Sequence, residues 1–245
     1  MSALKGFNAN DESPTSVNAL SPDWLNIEFG SWCANLNYNY GTTKYALNLF
    51  QKMPTDSELR AVLLHPSYDN WYILLNEPDL EGISTARAAN TVNDQMAAVL
   101  AVTPNPKFCI SCGTYRHPAY NDNSFFSRMW PLIARPRHVK AFHTHYYPYQ
   151  TNISFNTYSR NLRGYLDDTG KSGKELWVTE LGTVTGQTPS VTFDMNTAKT
   201  VADRHYDRWC WYAEKAIIST VAANYDCLLD SSGSLTANGT LFKTL

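Results

Sequence analysis

Short β-prone runs, each closed by polar or turn residues, alternate along this chain with longer stretches of helical spacing. The runs are Lys5 to Asn8, Leu25 to Trp32, Tyr45 to Phe50, Trp71 to Leu75, Lys107 to Cys112, Val139 to His145, Leu176 to Glu180 and Tyr225 to Leu229. Strands that alternate with helices pair in parallel, because each helix carries the chain back to the same edge. Eight such units in 245 residues predict an α/β fold, a single (β/α)8 TIM barrel occupying residues 1–245 as one domain. An open doubly wound sheet is the rival, but no glycine-rich turn follows an early strand. Three helical stripes support the alternation. They are Ile83, Ala86, Ala89, Val92, Met96 and Val99; then Phe155, Tyr158, Leu162, Tyr165 and Leu166, stopping at Gly170; then Ala198, Val201, His205, Tyr212, Ala216 and Ile217.

Composition narrows the partners. Hydrophobic residues make up 43% of the chain and charged ones 17%, which excludes a disordered chain. The net charge is −2 and no window concentrates like charges, so the footprint of a nucleic-acid binder is missing. The longest apolar run, Met96 to Val102, is seven residues, far below the ~20 of a membrane span. Aromatics reach 13%, a composition suited to stacking on neutral sugars. The first residues, Met-Ser-Ala-Leu-Lys-Gly, lack the basic and apolar stretches of a signal peptide, which leaves the compartment open. The five cysteines are an odd number without paired spacing, so they do not read as a disulfide framework. Cys109 and Cys112 fall inside a predicted strand, where small buried residues are the expected role.

Two carboxylates stand out. In Trp-Tyr-Ile-Leu-Leu-Asn-Glu-Pro-Asp (71–79) a run of five apolar residues ends in Asn76 and Glu77. Period two places Glu77 on one face with Leu75 and Ile73, the interior face of a barrel. Glu180 closes Glu-Leu-Trp-Val-Thr-Glu (175–180) in the same manner and shares its face with Val178 and Leu176. On the fourth and seventh strands both acids rise from one mouth, and a pair ~5–5.5 Å apart is the geometry of a retaining glycosidase. Other chemistries lack their parts. No Gly-x-Ser-x-Gly elbow is present, and His143 with His145 finds no third zinc ligand at an expected spacing, so no metal and no organic cofactor is implied.

Leu-Asn-Glu-Pro-Asp (75–79), His-Tyr-Tyr-Pro (145–148) and Trp-Val-Thr-Glu-Leu-Gly (177–182) resemble, in motif and order, the clan A glycoside hydrolases. The resemblance implies that Glu77 is the acid/base and Glu180 the nucleophile of double displacement. It implies that Asn76 bonds the sugar 2-hydroxyl and that His145 and Tyr147 line the site, with His143 deeper. Loop aromatics are candidates for sugar stacking: Trp32, Tyr38, Tyr40, Tyr115, Trp130 and Tyr146 to Tyr149. The short chain looks most like compact endo-β-glucanases, laminarinase-type enzymes among them. Activity on β-1,4-glucan, mannan or galactan, or a non-catalytic sugar-binding barrel, are the alternatives. An eighth-strand tryptophan common in the clan has no counterpart in residues 224–230. An oligo- or polysaccharide substrate, a monomeric and secreted protein, and no nucleic-acid or membrane partner complete the expectation.

Overall fold

The computed structural model describes residues 2–9, 14–28, 40–114, 124–148, 152–183, 193–212 and 227–245. Its eight parallel strands close into a barrel in chain order: β1 (Leu4–Ala9), β2 (Trp24–Glu28), β3 (Lys44–Phe50), β4 (Tyr68–Leu74), β5 (Lys107–Thr114), β6 (Val139–Tyr146), β7 (Glu175–Leu181) and β8 (Arg208–Trp211), with β8 pairing back to β1. The expected single (β/α)8 barrel is the observed architecture. Around it lie α1 (Pro14–Leu20), α2 (Asp56–Leu63), α3 (Thr85–Val102), α4 (Phe125–Met129), α5 (Phe155–Asp168), α6 (Met195–His205) and α7 (Ala237–Thr244). None of the helices described is long and apolar enough to cross a membrane.

Short polar side chains start the helices. Thr55, Ser84, Ser124, Ser154, Asp194 and Thr236 each accept a hydrogen bond from the backbone N–H three residues on. At α2 Glu58 returns the bond to Thr55, closing a capping box. Each cap satisfies an otherwise orphaned donor and contributes about 1 kcal/mol.

Alternation divides the strands between two cores. Trp24, Ala46, Trp71, Ile73, Cys109, Ala141, Trp177 and Cys210 form a cluster of their own. Trp177 contacts both Trp24 and Trp71, with ring centroids 5.2 and 4.5 Å away. These rings come from non-adjacent strands and meet only across the barrel interior. Gly6 leaves room for them, since a Cβ there would come within 2.7 Å of Trp24. The intervening residues, among them Leu25, Leu47, Tyr72, Leu74, Phe108, Phe142, Val178 and Trp209, join the helices in the larger core. Cys109 and Cys112, three apart on β5, fall on opposite faces as buried free thiols.

The structure corrects two expectations. The eighth strand is Arg-Trp-Cys-Trp (208–211), inside the stretch assigned to the third helix, which ends at His205. Tyr225 lies outside the described residues, as do Ala216 and Ile217; Leu229 makes only an isolated antiparallel bridge with Leu235. The facing of the two acidic strands also differs. Leu75, Leu176 and Val178 belong to the outer core, and it is Trp177 that points inward on β7. The glutamates therefore reach the mouth by another route than simple alternation.

Candidate active site

That route is a pair of backbone irregularities. β4 ends at Leu74, and Leu75 follows with φ 63°, a left-handed conformation that costs a non-glycine residue about 1–2 kcal/mol. A turn then begins at Glu77, whose carbonyl accepts from the N–H groups of Leu80 and Glu81, both at 2.9 Å. Pro78 sits in the first position of that turn, where its missing N–H costs nothing. On β7 the register slips by one residue between Val178 and Glu180 against β6, and again before Leu181 against β8. A bulge of this kind re-aims side chains, and here both Thr179 and Glu180 turn inward.

The two carboxylates converge on one imidazole. His145 Nδ1 lies 3.0 Å from Glu77 Oε1 and 3.3 Å from Glu180 Oε2. Facing two carboxylates, Nδ1 carries the proton and donates it to Glu77, with Glu180 close enough for charge attraction. Burial alone would lower the His145 pKa, but the charge of Glu180, and then the hydrogen bond and charge of Glu77, outweigh it and the net shift is upward. Tyr147 donates its hydroxyl to Glu180 Oε2 at 2.5 Å. The ring of Tyr147 meets that of Tyr212 edge to face, 6.4 Å between centroids. His145 is buried, whereas the side chains of Glu77 and Glu180 keep 22% and 12% of their surface exposed, so reactants can reach the acids but not the base of the site.

Beneath this layer His143 is fully buried. Its Nε2 donates to the Leu74 carbonyl at 3.2 Å, and its Nδ1 accepts from the Thr179 hydroxyl at 3.0 Å. Burial, with His145 close by, depresses its pKa to about 3, so the ring stays neutral. Ser111 Oγ donates to the Asn76 carbonyl at 3.1 Å. Asp79 Oδ2 accepts from both the Thr114 N–H at 3.0 Å and its hydroxyl at 2.8 Å, which fastens the turn after β4 to the end of β5. The Asn76 Oδ1 atom is buried without a protein partner.

One Oε of Glu77, Nδ1 of His145 and one Oε of Glu180 lie within 4.8 Å of one another, the single group of this kind among the described residues that could share a cation. The same closeness suits covalent acid–base chemistry: one carboxylate can attack an electrophilic carbon while the other moves a proton.

Residues 31–242 match the protein family described as the glycosyl hydrolase catalytic core. The chain belongs to that family. This glycosyl hydrolase shares its fold with a subgroup IV GH128 endo-β-1,3-glucanase from Lentinula edodes (TM-score 0.66, 13% identity, 98% of each chain covered). A subgroup I GH128 endo-β-1,3-glucanase from Amycolatopsis mediterranei, bound to laminaritriose, is similar at TM-score 0.60 and 15% identity over 99% of each chain. A family 17 β-1,3-glucanosyltransferase from Rhizomucor miehei is similar at TM-score 0.63 and 16% identity over 95% of each chain. Comparison with curated proteins finds no match.

Within this glycosyl hydrolase, Glu77, Glu180, His145, Tyr147, Asn76 and His143 come together at one end of the barrel. Trp32, Tyr38, Tyr115 and Tyr149 lie outside the described residues. Three other aromatics are elsewhere. Trp130 packs on Phe126 and Phe142 beneath Lys171 and Lys174, by the start of β6, the end away from the glutamates. Tyr146 faces the shell between Phe155, Tyr158 and Phe193, its hydroxyl donating to the Ile153 carbonyl. Tyr40 is enclosed by Tyr45 and His65, before β3 begins.

Tyr212 and Thr179 are the residues the sequence pattern passed over, and Asp79, read there as a solvated or capping acid, instead fastens the turn that carries Glu77. Trp211 ends β8 but faces outward onto Phe193, stacked at 9°, so the aromatic beside the carboxylates is its neighbour Tyr212. The signal for it was Arg-Trp-Cys-Trp-Tyr itself, an alternating run hidden within a helical stripe.

Proposed function

We propose that this glycosyl hydrolase is a retaining endo-β-1,3-glucanase in which Glu180 is the nucleophile and Glu77 the acid/base. The observation that carries the reading is the approach of the two carboxylates around His145, with Glu77, His145 and Glu180 donor atoms within 4.8 Å. Retaining hydrolysis uses carboxyl groups about 5–5.5 Å apart, whereas inversion needs roughly 6.5–9.5 Å to admit a water between acid and base. The linkage is taken from the structural neighbours, whose names specify β-1,3-glucan.

Glu180 attacks the anomeric carbon as Glu77 delivers its proton to the departing glycosidic oxygen, leaving a covalent glycosyl-enzyme. Glu77, now ionised, takes a proton from water, which adds to the same carbon and releases Glu180. Tyr147 and His145 hold the Glu180 oxygen and keep it anionic until attack. The role of bonding the sugar 2-hydroxyl falls to Asn76 beside Glu77, and Tyr212, against Tyr147, flanks the ring beside the cleaved bond. The whole chain acts as one catalytic domain, on a polymer met outside the cell.

The test is reducing-end release from laminarin, β-1,4- and mixed-linkage glucans, mannan and galactan. Release is expected from laminarin, falling at least about 10³-fold in Glu77→Ala and Glu180→Gln. A 2-deoxy-2-fluoro β-glucoside of the matching linkage is expected to label Glu180. Cleavage of another polymer alone would overturn the linkage, and undiminished release by either variant would overturn the carboxylate roles.

A further inference from the structure

β4 and β7, the strands that lead to the two proposed catalytic acids, lose regular geometry just before the acid, and His143 touches both places. On β4 its Nε2 holds the carbonyl of Leu74, the last regular residue before the left-handed Leu75. On β7 its Nδ1 receives the hydroxyl of Thr179, the residue that the bulge turns inward together with Glu180. The ring has no exposed surface and lies below His145, 5.8 Å between centroids, so substrate cannot reach it. Both of its nitrogens are occupied by groups of the barrel.

We propose that His143 is a positioning residue: by bonding Leu74 and Thr179 at once, it ties the end of β4 to the bulge of β7 and fixes the separation of Glu77 and Glu180. The inference rests on the assignment of those glutamates as the reacting pair. It gives His143, which the sequence reading placed among the substrate-binding residues but deeper than His145, a structural contact in place of one to sugar. Ser111 anchors Asn76, two residues beyond the end of β4, through its carbonyl, so the Leu74–Asn76 segment is held from β5 and β6 together. A strut of this kind contributes nothing to binding and everything to alignment, since a displacement near 1 Å between reacting groups lowers the rate about 100-fold.

Two variants test it on laminarihexaose. Thr179→Val removes the hydroxyl at nearly constant shape, and His143→Gln replaces the strut while offering an N–H towards Leu74. In both, kcat per competent site, counted by labelling with the 2-fluoro glycoside, is expected to fall about 10- to 100-fold while KM stays within about threefold. The two limbs of the pH–rate profile are expected to move relative to each other, because carboxyl spacing sets their mutual interaction. A structural role alone would reduce the melting temperature and the number of competent sites; unchanged kcat per site and unchanged limbs would overturn the proposal. Labelling of a residue other than Glu180 in the wild-type enzyme is a different failure. It would overturn the assignment of the reacting pair and the strut with it.

Discussion

At the floor of the barrel the Arg208 guanidinium lies 4.4 Å from the ring centroid of Trp177, 5.3 Å from Trp71 and 5.4 Å from Trp24. Asp69 and Glu175 stand 3.6 Å from its nitrogens, and Glu175 also accepts the Trp177 indole N–H at 2.7 Å. At the mouth, two carboxylates close on one imidazole. The floor surrounds one cation with opposite charges and electron-rich faces, so each partner lowers the cost of burying the others. The mouth brings like charges together and is held there by a left-handed leucine and a bulge. One end is arranged for stability, and the other gives stability up to keep two acids close.

Substitutions at the two ends should therefore separate turnover from stability. The largest effect belongs to the mouth: Glu180→Gln, expected to lose at least about 10³-fold in activity, should melt close to wild type, because it removes a like charge beside Glu77 together with an attraction to His145. Laminari-oligosaccharide should still raise its melting temperature. A large drop in melting temperature without ligand would mean that the carboxylate pair is stabilising and would break the comparison. At the floor, Arg208→Ala removes the cation and leaves Asp69 and Glu175 facing the rings. Asp69 and Glu175 keep 35% and 40% of their side-chain surface exposed, so the main loss is the desolvated cation on the indole faces, about 2 kcal/mol and roughly 5 °C in a chain of this size, with kcat per folded molecule within about twofold. Equal loss of kcat in that variant would show the two ends to be coupled.

The two interior histidines sharpen the contrast through pH. His143 is held neutral by burial, with a folded pKa of about 3 against 6.5 in the unfolded chain. Below about pH 6.5 only the unfolded chain takes up that proton, so this histidine subtracts stability as pH falls from about 6.5 towards 3. His145 is shifted upward by Glu180 and Glu77, with Asp79 adding to the same field. Its contribution is complete below about pH 6.5 and disappears as pH rises through the raised folded value. Melting curves from about pH 5 to 8 should show it. The deficit of His145→Gln relative to wild type is expected to shrink with rising pH, and that of His143→Gln to grow up to about pH 6.5. Parallel deficits would refute the opposed protonation of the two rings.

The fold was legible because seven of the eight strands, β1 to β7, overlap the β-prone runs, most firmly from β4 onward, and because capping residues such as Ser84 and Ser154 mark where helices begin. β8 was not, since four residues are too few to set period two apart from the helical stripe around them. The acids were found by motif and strand order, while the alternation argument for their facing fails at Leu75 and Val178. Left-handed backbone at a leucine and a bulge between Val178 and Glu180 leave no mark in residue type. Nor does composition tell a stacking aromatic from a packing one: Trp130 and Tyr146 are shell residues, whereas Tyr212 sits beside Tyr147. Position on the strand decides it, and for Tyr212 that requires β8 to be placed correctly.

The smallest expected effect tests how firmly the turn carrying Glu77 is held. Asp79 Oδ2 takes both the N–H and the hydroxyl of Thr114, while its Oδ1 is buried without a partner. Asp79→Ala deletes the acceptor of two hydrogen bonds and leaves the Thr114 donors enclosed, a cost of about 1–3 kcal/mol. Asp79→Asn can keep both bonds through its carbonyl oxygen but sets an amide group where Oδ1 was. Its cost should fall below that of the alanine variant, with the melting temperature between alanine and wild type. Beside the latch Gly113 takes φ 96°, a backbone conformation that favours glycine. If the latch only joins β4 to β5, kcat per competent site is unchanged in both variants. If it also aims Glu77, kcat declines in the order wild type, asparagine, alanine, in step with the melting temperature, and the mouth is then held from β5 as well as from His143.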